Sequence, residues 1–370
     1  MSKVLVTGSQ GFIAKNLIVR LKESNNEVIT FDLMDDISLL NDKVKSADYI
    51  YHLAGVNRPK DISEFTVGNV DLTTTLIECV KNSGRNIPLV FSSSIQAKQD
   101  NPYGESKLSA ENRLIEYSSI TGNSVYIYRL PNVFGKWCKP NYNSVVATFC
   151  HNIINGLPIS VNDESKILSL VYIDDVIDSF ISLLDNSEKS SGVIYKEIPT
   201  VYEETVGEIA NKISKFKDSR ESLITDAVGY GFTRALYSTY LSYLPPDDFS
   251  YRIPSYEDDR GAFAEILKTP EYGQFSFFTA KPGVTRGGHY HHSKNEKFIV
   301  VSGVALFKFV HIVTGEVVEQ VISSEDVRVL ETAPGWAHNI KNIGEADLIV
   351  MLWANEIFDR NKPDTVSWEM

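Results

Sequence analysis

Apolar positions in the first two hundred or so residues follow two rhythms. Short unbroken runs at Val4–Thr7, Val28–Phe31, Tyr49–Leu53, Leu89–Ser92 and Ser124–Arg129 read as strands. Between them, Phe12–Leu21 (Phe12, Ile13, Leu17, Ile18, Leu21), Leu72–Val80 and Ser106–Ser118 carry apolar residues at helical spacing. Strands apolar on both faces, separated by crossover helices, predict an α/β fold of Rossmann type, a doubly wound parallel sheet. Glu203–Lys217 is a further amphipathic helix, and Leu244-Pro-Pro-Asp-Asp248 then breaks any helix. The junction is expected there, with one domain over 1–243 and a second over 247–370. Beyond it the texture changes. Runs rich in Val, Ile and Phe recur at Phe275–Thr279, Lys297–Val310, Val317–Ile322, Val327–Leu330 and Leu348–Trp353, divided by Gly, Pro and Asn. Many short strands at close spacing predict an all-β barrel or sandwich.

Composition narrows the function classes. The chain has 370 residues, of which 43% are hydrophobic and 23% charged, an ordinary globular balance. Its net charge of -12 argues against a nucleic-acid partner, which a basic patch would recruit. No window offers ~18 unbroken apolar residues, so no membrane insertion is expected. The first residues lack the pattern of a secretory leader, and Cys79, Cys138 and Cys150 form no CxxC pair. A reducing, cytoplasmic location fits both observations.

Two segments of the first domain carry candidate chemistry. The first strand runs into Thr7-Gly8-Ser9-Gln10-Gly11-Phe12-Ile13-Ala14. Glycines between a strand and a helix allow a sharp turn and close approach of a pyrophosphate to the helix N-terminus. Asp32 ends the second strand, about 20 residues on, where a carboxylate can accept ribose hydroxyls or simply cap a turn. It would repel a 2′-phosphate, and no Lys or Arg follows before Lys43. The second segment is Tyr103-Gly-Glu-Ser-Lys107, preceded by Phe91-Ser-Ser-Ser94. Tyr and Lys four apart on a helix share a face, and an ammonium nearby lowers a phenol from its usual ~10. Such a phenol can move a proton near neutral pH, with a serine hydroxyl polarising a carbonyl.

Together with HLAG (His52–Gly55), Gly68-Asn69-Val70, RLPNVFG (Arg129–Gly135) and VYIDDV (Val171–Val176), these segments resemble the extended short-chain dehydrogenase/reductases. The likeness is in particular to the sugar-nucleotide epimerases and reductases, over roughly residues 1–243. The resemblance implies that Tyr103 is the catalytic acid, Lys107 holds the nicotinamide ribose, and Ser94 bonds the substrate oxygen. Gly8, Gln10, Gly11, Phe12, Ile13, Asp32, Leu53, Ala54, Gly55, Tyr103, Lys107 and Pro131 would bind the cofactor. Ala14 stands where the family has a third glycine, and the Ser94-to-Tyr103 loop is short.

In the second domain, Gly283, five residues, His289-Tyr-His291, four residues, Glu296, six residues and Gly303 precede Pro334-Gly335-Trp-Ala-His338 and Asn342. Three imidazoles and a carboxylate suit a borderline divalent ion such as zinc. The spacing resembles the two cupin motifs and implies a β-barrel with His289, His291, Glu296 and His338 as metal ligands. Arg286-Gly-Gly-His289 also resembles the base-bearing segment of metal-free sugar-nucleotide 3,5-epimerases. By that likeness Arg286 would bind the substrate diphosphate and His289 would be a base. If His289 is a ligand, Tyr290, His292 and Lys294 are the neighbouring candidates for the base.

A reductase and a cupin on one chain make sense around a 4-keto sugar nucleotide, whose ketone acidifies adjacent C–H bonds. The pairing resembles bifunctional enzymes of bacterial capsular polysaccharide synthesis, on the route to UDP-N-acetyl-L-fucosamine. It implies C3 epimerisation of a UDP-4-keto-6-deoxy-N-acetylhexosamine, then C4 reduction to UDP-2-acetamido-2,6-dideoxy-L-talose. It implies NADPH, with NADH left open by Asp32, zinc in the cupin, a UDP-sugar partner and a homodimer. Three other readings stand beside it: an NAD-holding 4-epimerase or 4,6-dehydratase with a structural cupin, a cupin oxygenase fused to a reductase, and a non-catalytic sugar-nucleotide sensor.

Overall fold

The computed structural model describes residues 2–185, 191–253, 256–258, 261–263, 267, 273–356 and 361–370. The chain divides into two compact units, one of Met1–Phe134, Asn141–Ser144 and Leu168–Glu203, the other of Gly135–Pro140, Val145–Ile167 and Glu204–Met370.

The first unit is built on a six-stranded parallel sheet. Its order is Glu27–Phe31, Lys3–Thr7, Tyr49–His52, Leu89–Ser94, Val125–Leu130, Val193–Lys196. Alternation along each strand explains why both faces are apolar. Leu5, Ile50, Leu89, Phe91, Val125 and Ile127 join one core with Leu40, Val44, Leu76, Ala110 and Leu114. On the opposite face, the rings of Tyr51 and Tyr128 lie 5.6 and 4.8 Å from that of Phe180. Successive strands are added on either side of Lys3–Thr7, so the topological switch lies beside it. Thr7 and His52 are register partners at that switch, and the loops leaving these strand ends open the crevice where such sheets bind ligands.

The second unit holds two five-stranded antiparallel sheets. One runs Ser250–Arg252, Arg328–Glu331, Glu296–Ser302, Leu348–Ala354, Gln274–Ala280. The other runs Val317–Ser323, Val304–His311, Trp336–Asn342, Thr285–Tyr290, Val366–Ser367. The expected run Lys297–Val310 is therefore two strands, divided at Gly303. Phe298 of the first sheet meets Phe307 and His338 of the second at ring distances of 5.9 and 6.0 Å. This unit begins upstream of Pro245–Pro246. Helices Val145–Ile154, Val206–Ser222 and Gly231–Leu241 belong to it. The helix expected from Glu203 starts at Val206, because Thr205 caps it by accepting from Glu208 N at 3.1 Å. Among the described residues no helix is long and apolar enough to cross a membrane.

Candidate active site and metal centre

The turn after the first strand is shaped for close approach. Gly8 has φ +68°, and a Cβ there would stand 2.6 Å from Ala54 Cα. Gly11 N donates to Gly8 O at 2.8 Å, and helix Phe12–Glu23 opens at Gly11 with no side-chain cap. Its first N–H groups and dipole end therefore suit an anionic group. Gln10 is exposed, and Phe12 and Ile13 are half-buried in the first turn. Asp32 accepts from Gln10 N at 2.7 Å, Ser9 Oγ at 3.2 Å and Leu33 N at 2.8 Å, so its carboxylate sits against the turn. Lys43 is engaged with Asp35 and with the Thr30 carbonyl, at 3.0 and 2.7 Å.

The neighbouring Leu53–Gly55 segment is fixed from beneath. His52 is fully buried, and burial pulls its imidazole down to about 3, leaving it neutral. Thr73 donates to Asn69 O at 2.6 Å, so its oxygen accepts from His52 Nε2 at 2.9 Å. His52 Nδ1 then accepts from Thr7 Oγ1 at 2.7 Å, and that oxygen accepts from Ala54 N at 3.3 Å. Close packing continues at Gly55, where a Cβ would stand 3.1 Å from Lys107 Nζ. Pro131, half-buried, follows strand Val125–Leu130.

Tyr103 and Lys107 both lie on helix Pro102–Thr121, which Asn101 caps by accepting from Gly104 N at 2.9 Å. Lys107 Nζ donates to Ser92 O at 3.0 Å and stands 5.0 Å from the centre of the Phe91 ring. Ser94 caps the short turn Ile95–Lys98 and hydrogen-bonds Tyr103. The expectation that Lys107 lowers the Tyr103 phenol is corrected here. Burial raises Tyr103 above its ordinary value, and the Ser94 bond offsets part of the rise. Lys107 itself is brought down to about 8 by burial, with the Glu111 carboxylate opposing.

In the second unit, His289, His291, Glu296 and His338 converge, with their ligand-type atoms within 4.8 Å of one another. His289 lies on strand Thr285–Tyr290 and His291 just beyond it, Glu296 opens the next strand, and His338 lies on Trp336–Asn342. Glu296 Oε2 is 3.3 Å from His291 Nε2 and 3.3 Å from His338 Nε2. Burial would raise Glu296, yet the bonds to His291 and His338 outweigh it and hold it well below the usual carboxylate range. Burial and the neighbouring imidazoles pull His289 down to about 3, so it is neutral and able to ligate. His291 Nδ1 donates to the Asp364 carbonyl, which leaves Nε2 facing Glu296. Three imidazoles around one carboxylate fit a divalent metal such as zinc. Arg286 is exposed, donates to Thr279 O at 3.2 Å and covers the Phe278 ring at 5.1 Å. Of the base candidates, Tyr290 is buried against Trp368, His292 is buried, and Lys294 Nζ stands 3.7 Å from Glu296 Oε1.

Residues 4–196 match the NAD dependent epimerase/dehydratase family, and residues 256–366 match the polysaccharide biosynthesis C-terminal domain. The chain is 53% identical over 98% of its length to a UDP-2-acetamido-2,6-beta-L-arabino-hexul-4-ose reductase of Pseudomonas aeruginosa, 97% of which is covered. It belongs to the NAD dependent epimerase/dehydratase family. Family membership implies a nicotinamide cofactor, which the open helix end and the Gly8 turn fit. Among solved structures, the capsular polysaccharide assembling protein CapF from Staphylococcus aureus matches at 42% identity, with all of each chain covered and a TM-score of 0.67. A Thermus thermophilus UDP-glucose 4-epimerase, 22% identical with a TM-score of 0.51, covers 58% of this chain and 83% of its own, and shares the fold.

Some residues at these sites had no assignment from the sequence. Asn69 accepts from Val56 N at 2.8 Å and donates to Ser106 Oγ at 2.8 Å, which locks the wall beside Gly55. It lies in a π-helical segment, Thr66–Asp71, where the 3.6-residue rhythm fails. Asp364 comes from the far end of the chain, and no spacing announces it.

Proposed function

We propose that the chain is a bifunctional sugar-nucleotide enzyme. The region 247–370, a cupin barrel, epimerises C3 of a UDP-4-keto-6-deoxy-N-acetylhexosamine. The region 1–243 then reduces the C4 ketone to UDP-2-acetamido-2,6-dideoxy-L-talose, on the route to UDP-N-acetyl-L-fucosamine and capsular polysaccharide. The relative that shares 53% identity bears the name of a UDP-2-acetamido-2,6-beta-L-arabino-hexul-4-ose reductase, and this supports the substrate class. A cytoplasmic homodimer is part of the same reading.

One observation carries the reductase assignment: Tyr103 and Lys107 share helix Pro102–Thr121, with Ser94 against Tyr103 and Lys107 Nζ against Gly55. The nicotinamide, when bound, supplies hydride to C4. Ser94 and Tyr103 polarise the ketone oxygen, and the Tyr103 hydroxyl donates its proton to that oxygen as negative charge builds there. A raised phenol keeps that proton until it is needed. Lys107 adds positive charge and binds ribose hydroxyls. NADPH is the coenzyme the wider likeness favours; NADH is the alternative that Asp32 favours. In the second region His289, His291, Glu296 and His338 would hold zinc, which would supply a Lewis acid for the keto oxygen. Arg286 would pair with the diphosphate. Removing the ketone then prevents the inverted centre from reverting.

Mass spectrometry of products from UDP-4-keto sugars, with NADPH or NADH in deuterated water, tests this. Tyr103→Phe should abolish coenzyme oxidation and leave solvent deuterium exchange into the keto sugar intact. Loss of exchange as well would contradict two separate sites.

A further inference from the structure

Glu111 lies four residues beyond Lys107 on helix Pro102–Thr121, one turn along the same face, and has no exposure to solvent. Nothing in the mechanism above uses it. A carboxylate so placed stays charged only if it is fully hydrogen-bonded and paired. It is. Arg129 Nη2 stands 2.6 Å from Oε2 and Nε 3.0 Å from Oε1, the Ser93 hydroxyl donates to Oε1, and the Tyr195 hydroxyl donates to Oε2 at 3.2 Å. The guanidinium also covers the Tyr195 ring at 5.0 Å.

The arrangement extends into the active site. Three consecutive residues at the end of strand Leu89–Ser94 are tied to one helix: Ser92 through Lys107, Ser93 through Glu111, and Ser94 through Tyr103. The groups around Lys107 define its electrostatics. On its own helix are Tyr103, kept protonated by burial, and Glu111. From strand Tyr49–His52 comes His52, which burial keeps neutral. Strand Leu89–Ser94 offers the Ser92 carbonyl and the Phe91 ring, and the π-helical segment offers the uncharged Asn69. Glu111 is thus the anion set against the burial of the Lys107 ammonium.

We propose that Glu111, held by Arg129 and Ser93, is a positioning residue of the reductase site: it keeps Lys107 protonated and fixes Ser94 beside Tyr103. The inference rests on the roles given above to Tyr103 and Lys107.

The test compares E111Q with the double variant E111Q/R129M. E111Q leaves a partly buried guanidinium unpaired and stands to lose stability. The double variant removes both charges, a change that is often neutral for a buried pair. Rates of ketone reduction are followed from pH 6 to pH 10, with thermal midpoints and coenzyme affinity measured alongside. The double variant should regain the wild-type midpoint, yet the alkaline limb of its kcat profile should move about one unit or more to lower pH. That corresponds to a loss of roughly tenfold on the alkaline side, with a smaller loss near pH 6. An alkaline limb at the wild-type position, or full activity at every pH, would overturn the proposal and leave Glu111 a structural group. Lys107→Met separates the two levels: if it still reduces the ketone, the site reading fails, and if it is inactive while the double variant is unshifted, only the role of Glu111 fails.

Discussion

Asp32 shows how one carboxylate can shape a loop. Its oxygens accept from the turn at Ser9 and Gln10 and from Leu33, so its charge is fixed where a ribose edge would lie. Lys43, the first cation after it in the chain, is committed to Asp35. Replacing Asp32 by Asn removes the charge and keeps an acceptor. The ratio of kcat/KM for NADPH to that for NADH should rise about tenfold, the size of one close charge repulsion. An unchanged ratio in steady-state assays would remove Asp32 from coenzyme choice. At this scale much was legible. Tyr103 and Lys107 were expected on one helix and lie on one, because helix geometry turns spacing into proximity. The protonation of Tyr103 was not, since burial is a property of the packed molecule and it overrides the nearby charge. Glu111 sat in view at four residues from Lys107, but its partners Arg129 and Tyr195 come from other strands.

Elements were legible where one face met water or where both faces were apolar in a short run. Helix Gly231–Leu241 gave no such signal. Phe232, Ala235 and every residue from Leu236 to Leu241 are buried, so its polar and apolar positions trace no stripe. The C-terminal strand was equally silent, being only Val366–Ser367 beside Thr285–Tyr290. Yet the segment just before this strand does local work. The Asp364 carboxylate accepts from the backbone N–H groups of His292, Ser293 and Lys294 at 2.8, 2.7 and 2.6 Å, and its carbonyl orients His291. The neighbouring His292 and His291 and these bonds hold Asp364 below the usual carboxylate range despite its burial. The segment is a clamp on the loop between two candidate ligands. Asp364→Ala should weaken zinc binding about 10- to 100-fold, the usual cost of losing an outer-shell partner. Chelator competition measures this, with His338→Ala as the control that should lower bound metal outright. If His338→Ala loses metal and Asp364→Ala binds as tightly as wild type, the clamp has no part in metal affinity.

At the scale of the molecule, the second unit depends on charge as well as apolar packing. Glu331 is buried between Lys297, at 2.6 Å, and Arg220, at 2.5 Å, and this joins helix Val206–Ser222 to strands Glu296–Ser302 and Arg328–Glu331. The Pro245–Pro246 break lies between partners of that triad in sequence, which is why punctuation alone could not display the unit. Burial would raise Glu331, but Lys297 and Arg220 outweigh it and take it down to about 2. A folded value depressed below the unfolded one gives stability that is present in full above the unfolded value of ~4.5 and drains as pH falls toward 2. Glu331→Gln leaves two buried cations unpaired, at a cost of about 3–5 kcal/mol near neutrality. The gap in thermal midpoint between wild type and Glu331→Gln, measured by circular dichroism with chelator present, should be widest above pH 5 or so and should narrow steadily toward pH 2. Below that range the wild-type carboxyl is itself protonated and both proteins carry the same unpaired cations. A gap that stays constant with pH would mean that the substitution acts through lost packing, and that the triad contributes no pH-linked stability to the unit.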